Sequence, residues 1–197
     1  MGESAFHFKA TAAILAGGKN VRFNGLIKPL VPLRGRTLLK HQMDVLQPLF
    51  AEILLITNQP GNFAGYQKYT ICRDLIPDRG PLSGIHAALS HAKHEKVFVF
   101  AGDMPFLESA MIGEQVGVYE KQGVKAVIPR IGHYIEPLHA LYPKNTLGKL
   151  ERHLQTVPDG AVRRWLETIP VFYWDVDRHK PFININTPEE LKKYEKD

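Results

Sequence analysis

Cysteine is nearly missing from this chain: Cys72 is the one example in 197 residues. No intramolecular disulfide can staple the fold, so stability must come from a packed core, and a reducing compartment such as the cytoplasm is expected. Long apolar runs are missing too, and nothing approaches the ~20 residues that span a bilayer. The apolar stretch 10–16 has the length of a signal-peptide core. It lacks a strongly basic start and runs straight into a glycine-basic segment, so it reads as a strand. Position 6 is Phe rather than the Ser or Thr that N-myristoylation requires. Neither G-x-x-x-x-G-K-[ST] nor G-x-G-x-x-G occurs, which excludes an ordinary P-loop NTPase and a dinucleotide oxidoreductase by motif. HExxH and CxxC are absent, so zinc chemistry has no support. One absence is local. Residues 4–43 contain no Asp or Glu but seven Lys or Arg, against a net charge of +5 for the whole chain.

That acid-free window leaves the rest of the chain close to neutral. Such a concentration favours a local anion site over a nucleic-acid surface, which would spread its basic residues along a face or helix. At its centre lies LAGGKNVRFNGLIK, residues 15–28. A strand end opening into two glycines, with Lys19, Arg22 and Lys28 behind it, is a place to hold a polyphosphate. The glycines alone fit an ordinary strand-to-loop turn equally well.

Strand and helix patterns alternate. Strands are expected at 10–15, 53–57, 69–73, 97–101 and 124–129, with helices at 37–50, 83–92 and 109–121. Segment 97–101 is continuously apolar, as in a strand covered on both faces. The order implies βαβ units: a doubly wound, mostly parallel sheet in a three-layer α/β/α sandwich, formed by one domain over 1–197. In the last third, 131–133 reads as a turn and 137–142 as a returning strand. Helices at 146–155 and 161–169 and a strand at 171–176 follow. The final helix starts with a capping box, Thr187 as N-cap, Pro188 next and Glu190 three residues on.

Polar residues at the ends of these strands are the candidates for chemistry. Asp103, in AGDMPFL, follows the buried strand and suits Mg²⁺, a hard ion that takes one or two carboxylates plus phosphate oxygens; capping a turn before Pro105 would also explain it. Asp74 and Asp78, in RDLIPDRGPLSG, could bond a ribose or base, although Asp78 reads better as a surface loop residue. Asn184 and Asn186 alternate in FININTPEEL, and two residues apart on an extended segment they face one way. His86, His91 and His94 read as a solvated helix face, and His139 as a packed histidine.

Taken in order, LAGGKNVRFNGLIK, RDLIPDRGPLSGI, VFVFAGDMPF, EPLHALY and FININTPEEL resemble the molybdenum cofactor guanylyltransferases over nearly the whole chain. The resemblance implies GMP transfer from GTP to the terminal phosphate of molybdopterin with Mg²⁺ as cofactor. It implies proteins that deliver the pterin as partners, and neither nucleic acid nor membrane. Carried over position by position, it sets Leu15, Ala16, Gly17 and Gly18 against the guanine nucleotide and Arg22 and Lys28 on its phosphates. Asp74 and Asn58 fall at the nucleoside, Asp103 on the metal, Asn184 and Asn186 toward the pterin or the reacting phosphates, and Arg163 or Arg164 toward the pterin. The chain departs from the family pattern at Ile27, where an aspartate is frequent, at Phe23 in place of methionine, and at Gly102 in place of cysteine or proline. The alternatives are a related nucleotidyltransferase using CTP or a sugar-phosphate acceptor, and a non-catalytic nucleotide-binding module.

Overall fold

A computed structural model of the chain describes residues 8–17, 23, 27–157 and 160–195. The chain opens with β1 (Phe8–Leu15), a short hairpin β2 (Pro32–Leu33) and β3 (Arg36–Thr37), α1 (Leu38–Leu46), β4 (Phe50–Ile56) and β5 (Thr70–Cys72). Next come α2 (Pro81–His91), β6 (Lys96–Ala101), α3 (Ser109–Gln122), β7 (Ala126–Ile131), β8 (Tyr134–Ile135) and β9 (His139–Pro143). The remainder is α4 (Leu147–Thr156), α5 (Val162–Leu166), β10 (Val171–Asp175) and α6 (Pro188–Tyr194). No helix among the described residues is long and apolar enough to cross a membrane.

The main sheet has the order β10-β7-β9-β6-β1-β4-β5, with β8 paired to β7. Pairings β5-β4, β4-β1, β1-β6 and β7-β10 are parallel, whereas β9 runs antiparallel to both β6 and β7. The reversal has a local cause. The chain turns at Gly132, whose φ is 57°, and feeds the β7-β8 hairpin that returns it toward β9.

Alternation along each strand divides the core in two. Ile14, Leu55, Phe98 and Phe100 face Leu39, Met43, Ile112 and Val116 of α1 and α3. Ala13, Leu54, Val97 and Val99 face Leu82, Ile85, Leu150 and Trp165 of α2, α4 and α5. Central strands are covered on both sides, as the unbroken apolar run of β6 required. A third, smaller cluster joins Phe23, Val31, Leu33, Leu38 and Ile185, with Phe106, Leu191 and Tyr194 packed against it. It fastens α6 to the β2-β3 hairpin, where Arg34 Nε donates to the Tyr194 carbonyl at 2.6 Å.

Several boundaries differ from the sequence expectation. The helix expected over 37–50 ends at Leu46, because Pro48 has no N–H to continue the ladder, and Phe50 opens β4 opposite Phe8 instead. The β2-β3 hairpin has no counterpart among the expected elements; its Arg34-Gly35 turn has φ of 50° and 74°, the two left-handed residues of a tight hairpin. His86 does not belong to a solvated face. It is buried, and its Nε2 lies 3.5 Å from Glu151 of α4. The capping box of α6 is present with both of its arms.

Candidate active site

From β1 the chain adds β4 and β5 on one side, then returns to lay β6 on the other. In open α/β sheets ligands bind beyond the strands' carboxyl ends at such a switch point. A cleft of about 1030 Å³ lies there, floored by Leu15 and Ala101, the last residues of β1 and β6 and register partners of each other. Close backbone approach shapes this floor. Gly102 N donates to Leu15 O at 3.0 Å. A Cβ on Gly102 would lie 2.8 Å from both Leu15 O and the Pro29 ring. The glycine at this position is thus matched to the local packing of Pro29. Gly84 likewise lets α2 lie on the Leu15 side chain, since a Cβ there would sit 2.9 Å from its methyl carbons.

One end of the cleft belongs to Lys28, Asp103 and Asn186. Lys28 Nζ donates to Asp103 Oδ2 at 2.9 Å and to Asn186 Oδ1 at 2.6 Å. Lysine has three N–H donors, and the third has no protein partner among the described residues. The ion pair is mostly shielded, with side-chain exposures of 20% and 18%. The turn carrying Asp103 is gripped from below. Gln42, fully buried on α1, donates its amide to the carbonyls of Ala101 at 2.6 Å and Met104 at 3.0 Å. Ile185 N donates to the Asp103 carbonyl at 2.9 Å, which draws the segment bearing Asn186 against the same turn.

The other end belongs to Asn58 and Asp74, just past β4 and β5. Asn58 Nδ2 donates to Asp74 Oδ2 at 2.8 Å, and Asp74 N donates to Asn58 Oδ1 at 3.1 Å. Burial pushes the Asp74 carboxyl above its ordinary range, with the Asn58 hydrogen bond and His86 acting in the opposite direction. Between the two ends the N-terminus of α2 faces the cleft through Gly80, Pro81 and Ser83, without a side-chain cap on its first N–H groups.

Electrostatics here differ from the basic character of residues 4–43. Among the described lining residues, Asp74, Asp78 and Asp103 stand against the single cation Lys28. Glu136, before β9, adds to this. Its carboxyl is half-buried and shifted upward, by burial first and by the Asp103 carboxylate second, and it has no hydrogen-bond or ion-pair partner among the described residues. Asp103 Oδ1 accepts no bond among them either. No group of three His, Cys, Asp or Glu able to hold a metal occurs among the described residues. The donor set therefore fits a hard divalent cation shared between Asp103 and the oxygens of a bound phosphate, rather than an ion caged by protein alone.

Of the residues singled out from the sequence, Leu15, Ala16, Gly17, Lys28, Asn58, Asp74, Asp103 and Asn186 line this cleft. Asp78 borders it as well, as an exposed loop residue with a left-handed φ of 60°, the turn position the sequence suggested. Asn184 does not line it. It follows a 3-10 turn at Lys180–Phe182 rather than a strand, and its amide donates back to the Phe182 carbonyl at 3.2 Å. Arg163 and Arg164, exposed on α5, are also outside the lining. Gly18 and Arg22 lie outside the described residues, as does Lys19. Gln42 and Glu136 were missed; a polar residue within an apolar helix face was the available signal for the first. His139 is a core residue, as expected: Phe98, Phe100 and Phe182 meet its ring at 70–82°, and burial pushes its pKa down to about 4.

The family model described as a MobA-like NTP transferase domain matches residues 12–174. A molybdenum cofactor guanylyltransferase of Desulfosudis oleivorans is 35% identical, over 94% of this chain and 94% of its own. A probable molybdenum cofactor guanylyltransferase of Peptoclostridium acidaminophilum is 33% identical, over 93% of this chain and 87% of its own. The crystal structure of molybdopterin-guanine dinucleotide biosynthesis protein A from Archaeoglobus fulgidus superposes with a TM-score of 0.81 at 31% identity, covering 94% of this chain and 96% of that one.

Proposed function

The chain belongs to the family of MobA-like NTP transferase domains, and on that premise we propose that it is a molybdenum cofactor guanylyltransferase. It transfers GMP from GTP to the terminal phosphate of molybdopterin and releases pyrophosphate. The observation that carries this reading is the meeting of Lys28, Asp103 and Asn186 at the switch point of the sheet. A cation, an anion and an amide with one lysine donor to spare make a socket for phosphate oxygens, and the nucleotide's other end would reach Asn58 and Asp74.

The acceptor phosphate is a monoester whose second pKa is about 6, so it arrives as an anion and needs no protein base to activate it. One of its oxygens bonds to the α-phosphorus of GTP. The bond from that phosphorus to the α,β-bridging oxygen breaks, and pyrophosphate leaves with the electron pair. What the protein must overcome is repulsion between two anions, by positioning and by fixed opposite charge. Lys28 directs its third donor at the phosphates, and Arg22 adds positive charge from the glycine-basic run. Asp103 is the residue that would hold Mg²⁺, which when bound neutralises phosphate oxygens as a Lewis acid. Among the described lining residues three aspartates face the one cation Lys28, which favours such an ion.

We read the chain as one catalytic domain acting in the cytoplasm and receiving its pterin from delivery proteins. Incubation with molybdopterin, Mg²⁺ and each nucleotide in turn, followed by product mass and pyrophosphate measurement, tests the reading. The guanine dinucleotide should form with GTP. Product with CTP alone, or nucleotide binding without pyrophosphate, would overturn it.

A further inference from the structure

We propose that Glu190, on the last helix, is a positioning residue of the reaction site: it holds Asn186 against Lys28. A capping box requires only that the carboxylate of the third helical residue accept the N-cap N–H. Here Glu190 Oε2 accepts Thr187 N at 3.2 Å, which meets that requirement. The same oxygen also accepts Asn186 N at 2.6 Å, a shorter bond that the helix does not need. Hydrogen bonds to a carboxylate are the strong ones, so the tighter restraint falls on the residue facing the cleft.

The backbone around Asn186 is then fixed from both sides. Ile185 is fully buried and its N–H is held by the Asp103 carbonyl at 2.9 Å. Asn186 N–H is held by Glu190. With both anchored, the Asn186 side chain has its Oδ1 at 2.6 Å from Lys28 Nζ. Lys28 is in this way oriented by two partners delivered by separate elements, Asp103 by the turn after β6 and Asn186 by the α6 cap. The cap does double duty, starting a helix and setting the direction of the lysine's remaining donor.

The inference rests on the transferase reading, and the test separates the two. Glu190→Ala should lower kcat/KM roughly tenfold or more, as expected when a group near the reacting atoms is displaced by a fraction of an ångström. Glu190→Gln, which keeps an accepting oxygen, should recover most of that loss. Thr187→Ala removes the other arm of the box, where Glu190 N donates to Thr187 Oγ1 at 3.2 Å. It should lower Tm comparably yet keep kcat/KM close to wild type. Glu190→Ala added to Asn186→Ala should reduce activity no further while still lowering Tm. A readout that needs no substrate is the side-chain amide resonance of Asn186 in the ligand-free protein, which should shift in Glu190→Ala and stay in place in Thr187→Ala. Equal shifts in both variants, activity that simply tracks Tm, or full additivity with Asn186→Ala would each overturn the proposal. A wild-type chain that makes no guanine dinucleotide would count against the transferase reading instead, and the resonance test would still decide the role of Glu190.

Discussion

At the end of the cleft above β4 and β5, Asn58 and Asp74 hold each other through two hydrogen bonds, and both sit just past neighbouring parallel strands. At the end above β6, the three polar groups come from segments up to 158 residues apart and are bound as an ion pair extended by an amide. Among the described residues the pair at the first end carries the Asp74 carboxylate, raised by burial, and no cation. It can recognise a neutral, donor-rich group such as a nucleoside. The second carries charge of both signs and a spare donor, and can manage phosphates. The difference implies a division of labour: substitutions at the β4-β5 end should act on binding, and those at the β6 end on the chemical step.

The largest effect expected is at Asp103. Asp103→Ala should abolish turnover, because it removes the carboxylate that would hold the metal and one of two partners of Lys28. Near-normal Mg²⁺-dependent pyrophosphate release would erase the distinction between the two ends. Lys28→Ala should follow, with a loss of at least ~2 kcal/mol of transition-state stabilisation, roughly thirtyfold in rate, by analogy with losing one preorganised donor. Its effect should fall on kcat. An effect confined to the KM for GTP would make this end a binding subsite like the other.

Asp74→Asn should be milder and of the opposite kind, raising the KM for GTP with kcat largely kept. Its pH dependence sharpens the point. Burial raises the Asp74 carboxyl, so in the wild type the carboxylate is lost on acidification earlier than an ordinary aspartate. The KM for GTP should therefore climb as pH falls toward the carboxylate range, and Asp74→Asn should lack that climb. A variant that keeps the same pH profile would show that another group controls nucleotide binding.

Single residues at both ends were more legible in the sequence than the contacts between them, for a physical reason. Strand patterning, turn residues and helix caps are local. They located β1, β6, the cap at Thr187 and the polar residues just past each strand. The contact between Lys28 and Asn186 leaves no local trace, because it depends on the third small core bringing α6 back over the hairpin. That hairpin itself turns on Arg34-Gly35 rather than on the Asn-Gly or Asp-Gly pair that signals such a turn. Asn184 lies outside the cleft lining, where its amide donates back to the Phe182 carbonyl of the preceding 3-10 turn, a contact that the alternation with Asn186 does not announce. Gln42 lies one residue from Met43 on the buried side of α1, where a polar letter in an apolar face marks the position but does not say that it grips the Asp103 turn.

The smallest effect on catalysis, and one that calibrates the comparison, is expected at His139. It is the first residue of β9, next to Leu138 of the cleft lining but turned into the core. Burial lowers its pKa to about 4 from an ordinary 6.5, so the unfolded chain binds a proton that the folded one refuses. Stability is then fully present above pH 6.5 and is lost progressively as pH falls to about 4. The gap is worth at most roughly 3 kcal/mol. His139→Phe should flatten that decline in urea midpoints between neutral and mildly acidic pH, and leave kcat/KM near the wild-type value at neutral pH. If activity fell instead while the acid decline persisted, the imidazole would be supporting the Asp103 end through Leu138, and the boundary between the chemical end and the core behind it would have to be redrawn.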